Sequence, residues 1–191
     1  MKTIVFGASG IGHSYAYLGV LYELFLNGEI NDYDEYILSG PPSFIVISCI
    51  LSSNVMGIIN NLQHKKIFSG DIKRTLFNFL LGTIPLGDFL NSISLALTTL
   101  FDNFFQKLPT FKQLYEYTNK NIKIVLTNYK TSEPYICDHI NTPHMFVKDA
   151  IISSFIIPHI IESDHFNKDY CTGMISSPLP LEIIEIGRAH V

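Results

Sequence analysis

The sequence Gly40-Pro41-Pro42-Ser43 joins a short apolar segment to a longer one and so predicts a sharp turn from a strand into a helix. Many hydrolases carry a serine nucleophile on such a turn, in the pattern Gly-x-Ser-x-Gly, because small neighbours let a substrate carbonyl approach. Ser43 is the serine that this turn offers, but Pro41 and Ile45 take the places of its flanking glycines. Serine and proline are also common where a helix begins. The turn is therefore either a modified nucleophile site or a helix start.

A second turn that could do chemistry is FGASGIGHS, from Phe6 to Ser14, again between a predicted strand and a predicted helix. Backbone N–H groups in such a turn can bind an oxyanion or a pyrophosphate. The residues that would line it are Gly7, Gly10, Gly12 and His13. The turn looks like the cofactor loop of short-chain dehydrogenases, although it is one residue short of their glycine spacing. The chain also lacks their Tyr-x-x-x-Lys pair. A nucleotide-binding oxidoreductase is nevertheless kept as one alternative function.

The elements that would position these turns follow from the apolar pattern. Alternating strands and helices predict an α/β fold with one domain and a mostly parallel sheet flanked by helices. Strands are predicted at KTIVFGA, at DEYILSG and as a pair in NIKIVLTNYKTSEPYIC. Helices are predicted from Ser14 to Gly28, from Ser43 to Leu62, within Asp71 to Lys107, from Thr110 to Thr118, and over TPHMFVKDAIISSFIIP, which ends at Pro158.

Five segments in this order resemble the patatin-like phospholipases, from Lys2 to about Leu181. They are IVFGASGIGHSYAYLGVLYEL, YILSGPPSFIVISCILSSN, TFKQLYEYTNKNIKIVLTNYKTSE, NTPHMFVKDAIISSFIIP and NKDYCTGMISSPLP. The resemblance implies a patatin-like α/β fold and, as the ancestral activity, hydrolysis of lipid acyl esters by a serine–aspartate dyad without a metal or other cofactor. It also implies that Gly7, Gly10, Gly12 and His13 belong to the oxyanion loop.

Both catalytic positions are substituted when the family pattern is transferred to this chain. With Gly40 as the first glycine of the nucleophile turn, Pro42 takes the nucleophile position, and proline has no hydroxyl and a fixed φ. Shifting the register forward by one residue offers Ser43 as the nucleophile, and a shift of two residues in the other direction places Gly40 itself there. Thr172 takes the aspartate position, followed by Gly173, and threonine is no base at neutral pH. The resemblance therefore predicts an impaired hydrolase.

Three functions are consistent with these residues. The first is a catalytically impaired patatin-like protein of lipid metabolism that retains a lipid-binding cleft. It would be cytoplasmic and associated peripherally with lipid or a membrane surface. The second is an active serine acyl hydrolase that uses Ser43 with a displaced carboxylate such as Asp169. The third is the nucleotide-binding oxidoreductase, which would need an acidic residue at the end of the second strand.

Composition and spacing argue against several other classes. The net charge of −4 and the scattered basic residues give no support to nucleic-acid binding. The three cysteines are far apart, and the histidines lack metal-ligand spacing, so no metal or disulfide framework is expected. The uncharged run from Tyr36 to Gln63 is long enough to cross a bilayer, but prolines and polar residues interrupt it. We therefore expect buried helices and no transmembrane span.

The last six residues have an unusual origin in our interpretation. Residues 186–191, IGRAHV, can be encoded by a common sequencing-adapter string, so we interpret them as an artefact. The patatin-like domain is then expected to cover residues 1–185 and to be truncated at its C-terminus.

Overall fold

The computed structural model describes residues 2–9, 11–52, 83, 109–158 and 169–184, apart from the side chains of residues 11–15 and 52. Several sequence predictions lie outside these residues. They are the role of Gly10, the helices within Asp71 to Lys107, the end of the helix that starts near Ser43, and the adapter-derived tail, residues 186–191.

The described strands form one five-stranded sheet. Its order is β1-β2-β3-β4, and β5 also pairs with β3. The first three strands run parallel, whereas β4 and β5 are antiparallel to β3. This arrangement confirms the predicted α/β fold with a mostly parallel sheet. The strands are β1 (Thr3–Phe6), β2 (Glu35–Ser39), β3 (Asn121–Asn128), β4 (Pro134–Cys137) and β5 (Tyr170–Thr172).

Strand β5 lies in line with β2, beyond the point where β2 ends. Both β4 and β5 pair with Leu126 and Thr127 of β3, so they must occupy opposite edges of that strand. The edge that β5 takes is the one that β2 occupies as far as Val125. Because β5 runs antiparallel to β3, its carboxyl end meets the carboxyl end of β2.

Four α-helices accompany the sheet in the described residues. They are α1 (Ile11–Leu26), α2 (Pro42–Ser52), α3 (Phe111–Thr118) and α4 (Val147–Ser153), with 3₁₀ helices at Glu29–Asp32 and Leu181–Ile183. Helix α3 begins as predicted, because Thr110 and Gln113 form a reciprocal capping box. Helix α1 begins three residues before the predicted Ser14 and ends before Gly28, whose φ is +74°.

Helix α4 is shorter than the sequence predicts. The prediction began at Thr142, but the segment before α4 forms turns. The carbonyls of Pro143 and Met145 accept hydrogen bonds from the N–H groups of Lys112 and Phe111, both at 3.1 Å, and Phe146 forms a β-bridge with Thr110. Residues 142–146 therefore bond to the start of α3 and do not continue α4 towards its predicted beginning.

The interior combines a large apolar core with one buried ion pair. Tyr36, Leu38, Ile124 and Leu126 are fully buried in the central strands. At the amino end of β2, the carboxylate of Glu35 lies 2.8 Å from the Lys123 ammonium and also accepts hydrogen bonds from Asn121 and Thr3. These contacts compensate the charge of a carboxylate that is removed from water.

Candidate functional site

The carboxyl ends of β2 and β5 meet on adjacent residues of β3. Ser39 is opposite Val125, and Thr172 is opposite the next residue, Leu126. The residue that follows Thr172 is Gly173, and a Cβ there would overlap the Val125 carbonyl and lie 2.8 Å from Ser39 Oγ. Glycine is therefore required for the two strand ends to approach this closely.

Gly40 lies between this contact and the turn after β1. Its φ is +68°, in the left-handed region that favours glycine. A Cβ at Gly40 would lie 3.3 Å from Ala8 Cβ and 3.5 Å from Thr172 Oγ1. The loops after β1, β2 and β5 thus converge. We call Ala8, Gly40, Thr172 and Gly173 the junction.

The junction has no group that can serve as a nucleophile with its base. Gly40 has no side chain, and the Thr172 hydroxyl accepts a hydrogen bond from the Met174 N–H at 3.3 Å. A threonine hydroxyl does not take up a proton at neutral pH. Gly40 and Thr172 are both buried. Neither position therefore offers a group for proton transfer.

Pro42 and Ser43 lie in the first turn of α2 and face the interior. Pro42 is the first residue of the helix, where the missing N–H of proline costs nothing. The Ser43 hydroxyl is buried, 2.8 Å from the Ser154 hydroxyl, and Ser154 donates to the Ile151 carbonyl at 2.6 Å. Ser154 uses its proton in that bond, so Ser43 is the donor to Ser154. A hydroxyl chain that ends on a carbonyl has no group to accept a proton.

Asp169, the displaced carboxylate considered for Ser43, forms a different contact. Its Oδ1 lies 2.6 Å from the Lys130 ammonium at the protein surface. The hydrogen bond to Asp169 and its negative charge raise the pKa of Lys130. The Asp169 carboxylate therefore forms an exposed ion pair with Lys130. Sequence spacing gave no sign of Ser154, the partner that Ser43 has instead, because Ser154 directly follows α4 and is 111 residues away in the sequence.

The glycine turn after β1 is bound to the segment after β5. The Ala8 N–H donates to the Pro178 carbonyl at 2.6 Å, and a Cβ at Gly7 would lie 2.9 Å from Leu179 Cδ1. One N–H of the expected oxyanion loop is therefore already occupied. Gly12 and His13 lie in the first turn of α1.

Two further hydroxyls near the junction were not identified from the sequence as site residues. Ser39 Oγ donates to the Ser177 carbonyl at 2.8 Å, and Thr127 Oγ1 donates to the Thr172 carbonyl at 2.8 Å. Thr127 Oγ1 also lies 2.8 Å from Ser176 Oγ. Ser39 and Thr127 come from different strands, so no local spacing could have connected them.

The described residues also bear on the metal and nucleotide alternatives. They contain no group of three or more His, Cys, Asp or Glu side chains that could hold a metal ion. The acidic residue of β2 is Glu35, at the amino end of the strand, whereas Ser39 is at the carboxyl end beside the glycine turn. A dinucleotide ribose would need the acidic side chain at that carboxyl end.

None of the described helices combines the length and the apolar character needed to cross a membrane.

Comparison with known proteins gives one structural similarity. No protein-family model matches the chain, and a search of curated proteins finds no match. Among solved structures, the chain is similar to a chain of the 1.92 Å crystal structure of full-length SpcU in complex with full-length ExoU from the type III secretion system of Pseudomonas aeruginosa. The identity is 17% and the TM-score is 0.42. The similarity covers 86% of this chain and 41% of that chain, so this chain spans less than half of its length.

Proposed function

We propose that this protein is a patatin-like member of lipid metabolism that binds acyl lipid at the junction without hydrolysing it. It acts in the cytoplasm, peripherally at a lipid surface. The observation that carries the proposal is the placement of Gly40 beside Thr172. The backbone at Gly40 has the positive φ expected of a nucleophile turn, and the nearest side chain from β5 is at the position that the resemblance gives to the aspartate.

The proposal takes Gly40 as the nucleophile position, two residues before Pro42. Pro42 is a regular first residue of α2, whereas Gly40 is the left-handed residue at the end of β2. This register is one of the shifts weighed from the sequence. In either register the nucleophile position has no hydroxyl, so the proposed loss of hydrolysis does not depend on the choice.

The proposed ligand is an acyl lipid because the segment after β5 exposes large apolar side chains next to the junction. Ile175, Leu179 and Leu181 are each 52% exposed, and Met174 is 36% exposed. Several exposed apolar side chains close in sequence are typical of a surface that meets an apolar ligand or partner.

The experiment measures binding and turnover on one sample of purified protein. Binding is followed with a fluorescent fatty-acid analogue, and turnover with a chromogenic acyl ester. We expect saturable binding and no turnover above that of buffer. Absence of binding by folded protein would contradict the lipid assignment. Turnover that Ser43→Ala abolishes, and that the control Ser48→Ala retains, would instead establish the active-hydrolase alternative. Ser48 is a suitable control because it is also a buried serine of α2, bonded to the Phe44 carbonyl at 2.6 Å.

A further inference from the structure

Residues 174–179, which we call the strap, run across the carboxyl ends of three neighbouring strands. Consecutive strap residues contact consecutive strands of the sheet. Ser176 contacts Thr127 of β3, Ser177 contacts Ser39 of β2, and Pro178 and Leu179 contact Ala8 and Gly7 after β1. The strap therefore passes over the same strand ends that form the junction.

The strap and its neighbours close the junction to solvent. Gly40, Pro41, Thr172 and Gly173 are all buried. Gly40 is enclosed between Ala8 and Thr172, and the strap is bonded to residues on both sides of Gly40, namely Ser39 and Ala8. A ligand of acyl-chain size cannot reach Gly40 while these contacts persist.

The contacts that hold the strap are mainly hydrogen bonds. Ile175 and Leu179 are each 52% exposed, so they gain little from burial in the closed position. Ser39 Oγ donates to the Ser177 carbonyl at 2.8 Å, and the Ala8 N–H donates to the Pro178 carbonyl at 2.6 Å. Thr127 Oγ1 accepts from the Ser176 N–H at 3.2 Å and lies 2.8 Å from Ser176 Oγ. Such bonds can be exchanged for bonds to water when the segment moves away.

We infer that the strap is a closing element that must move away from Gly7, Ala8 and Ser39 before acyl lipid reaches the junction. This inference rests on the proposed function for the identity of the ligand. In the closed position the protein is autoinhibited for binding. In the open position the carbonyls of Ser177 and Pro178 bond to water, and the space beside Gly40 admits the ligand.

A disulfide between Gly7→Cys and Leu179→Cys tests the inference by locking the strap. A Cβ at Gly7 would lie 3.7 Å from the Leu179 Cα, a separation that suits a disulfide between cysteines at the two positions. The native cysteines should not interfere. Burial raises the pKa of the Cys49 and Cys137 thiols to about 12 and raises the pKa of Cys171, so all three stay protonated and unreactive at pH 8.

Binding of the fluorescent fatty-acid analogue is measured for the oxidised and the reduced double variant. We expect the oxidised form to bind at least about tenfold more weakly, which corresponds to about 1.4 kcal/mol, and reduction to restore the affinity of the unmodified protein. Equal affinity of the oxidised and reduced forms would overturn the inference that the strap must move, and would leave the proposed lipid binding unaffected. Absence of binding in both forms and in the unmodified protein would overturn the proposed function together with the strap.

A second variant tests the same inference if the double variant does not fold. Ser39→Ala removes one of the hydrogen bonds that hold the strap against the sheet, so we expect tighter binding of the analogue. Ser48→Ala removes a buried serine that has no contact with the strap and should leave the affinity unchanged. Equal affinities of Ser39→Ala and the unmodified protein would overturn the inference.

Discussion

Gly40 and Thr172 lie side by side where strands β2 and β5 end, with 3.5 Å between Thr172 Oγ1 and the place of a Cβ at Gly40. The two residues are far apart in the sequence and come from loops that the sheet brings together. Their closeness means that two substitutions could place a hydroxyl and a carboxylate next to each other, with a small shift at Ala8, whose Cβ lies 3.3 Å from the place of the new Cβ.

The double variant Gly40→Ser/Thr172→Asp should gain reactivity toward a fluorophosphonate probe, because the new carboxylate can accept the proton of the new serine. Serine at a φ of +68° should reduce stability by about 1–2 kcal/mol. Labelling is read by mass spectrometry at residue 40. Gly28→Ser is the matched control, since Gly28 has a φ of +74° and open space around its Cβ. It should lose less stability than the double variant, which also crowds Ala8 and buries a carboxylate at residue 172, and it should gain no labelling. A double variant that folds but is not labelled would count against Gly40 as the nucleophile position.

Gly173→Ala should destabilise the protein by at least about 2 kcal/mol, because the added Cβ overlaps the Val125 carbonyl. Gly19→Ala is the control. Its Cβ would meet nothing within 4 Å and would lie inside helix α1, so this variant should be more stable by about 0.5–1 kcal/mol. Urea denaturation measures both. Equal stability of the two variants would show that the ends of β2 and β5 do not approach as described.

Lys123→Met should cost about 3–5 kcal/mol, because it leaves the Glu35 carboxylate buried without its cation. The control Lys112→Met removes an exposed pair with Glu116, 3.9 Å apart, and should cost less than about 0.5 kcal/mol. Adding Glu35→Met to Lys123→Met should recover part of the loss, as thermal denaturation would show. A loss for Lys123→Met as small as for Lys112→Met would contradict the buried pair.

Tyr36→Phe tests the strand β2 core through its pH dependence. Burial raises the pKa of Tyr36 to about 12 from its ordinary value of 10.0, and its hydroxyl donates to the Ile30 carbonyl at 2.6 Å. The native state therefore keeps the proton between pH 10 and 12 while the unfolded state releases it, so stability falls as the pH rises. At pH 8 the unmodified protein should be more stable than the variant by about 1 kcal/mol.

The stability advantage of the unmodified protein over Tyr36→Phe should shrink as the pH rises through 10 to 12, because the side chain at residue 36 can ionise in the unmodified protein and cannot ionise in the variant. Chemical denaturation of both proteins at pH 8, 10 and 11 gives the difference directly. A difference that stays constant over this range would mean that the Tyr36 hydroxyl is not buried in the native state.

The sequence predicted those parts of the fold that depend on local patterns. Apolar runs located β1, β2 and β3, and Thr110 predicted the start of α3 as a helix cap. The structure adds Gln113 as its partner in a capping box. The start of α4 was predicted too early, because residues 143–146 bond to the start of α3. Bonds to a distant segment cannot be recognised from apolar spacing alone.

The candidate site was less predictable, because its contacts join distant segments. The sequence identified Gly40, Thr172 and Gly173 as members of the site through resemblance. It could not show that Ser43 donates to Ser154 or that Ser39 bonds the Ser177 carbonyl. These contacts join residues that are 111 and 138 positions apart in the sequence. The Ser39 bond also depends on β5 lying in line with β2, which is set by strand pairing and not by local pattern.

The most direct test of the central claim is fluorophosphonate labelling of the unmodified protein at pH 8, with Ser43→Ala and Ser48→Ala alongside. The claim is that the junction lacks an activated nucleophile, and that Ser43 only donates a hydrogen bond to Ser154. We predict that none of the three proteins is labelled, while circular dichroism shows all of them folded. Labelling of the unmodified protein and of Ser48→Ala that disappears in Ser43→Ala would contradict the claim and make Ser43 a catalytic nucleophile.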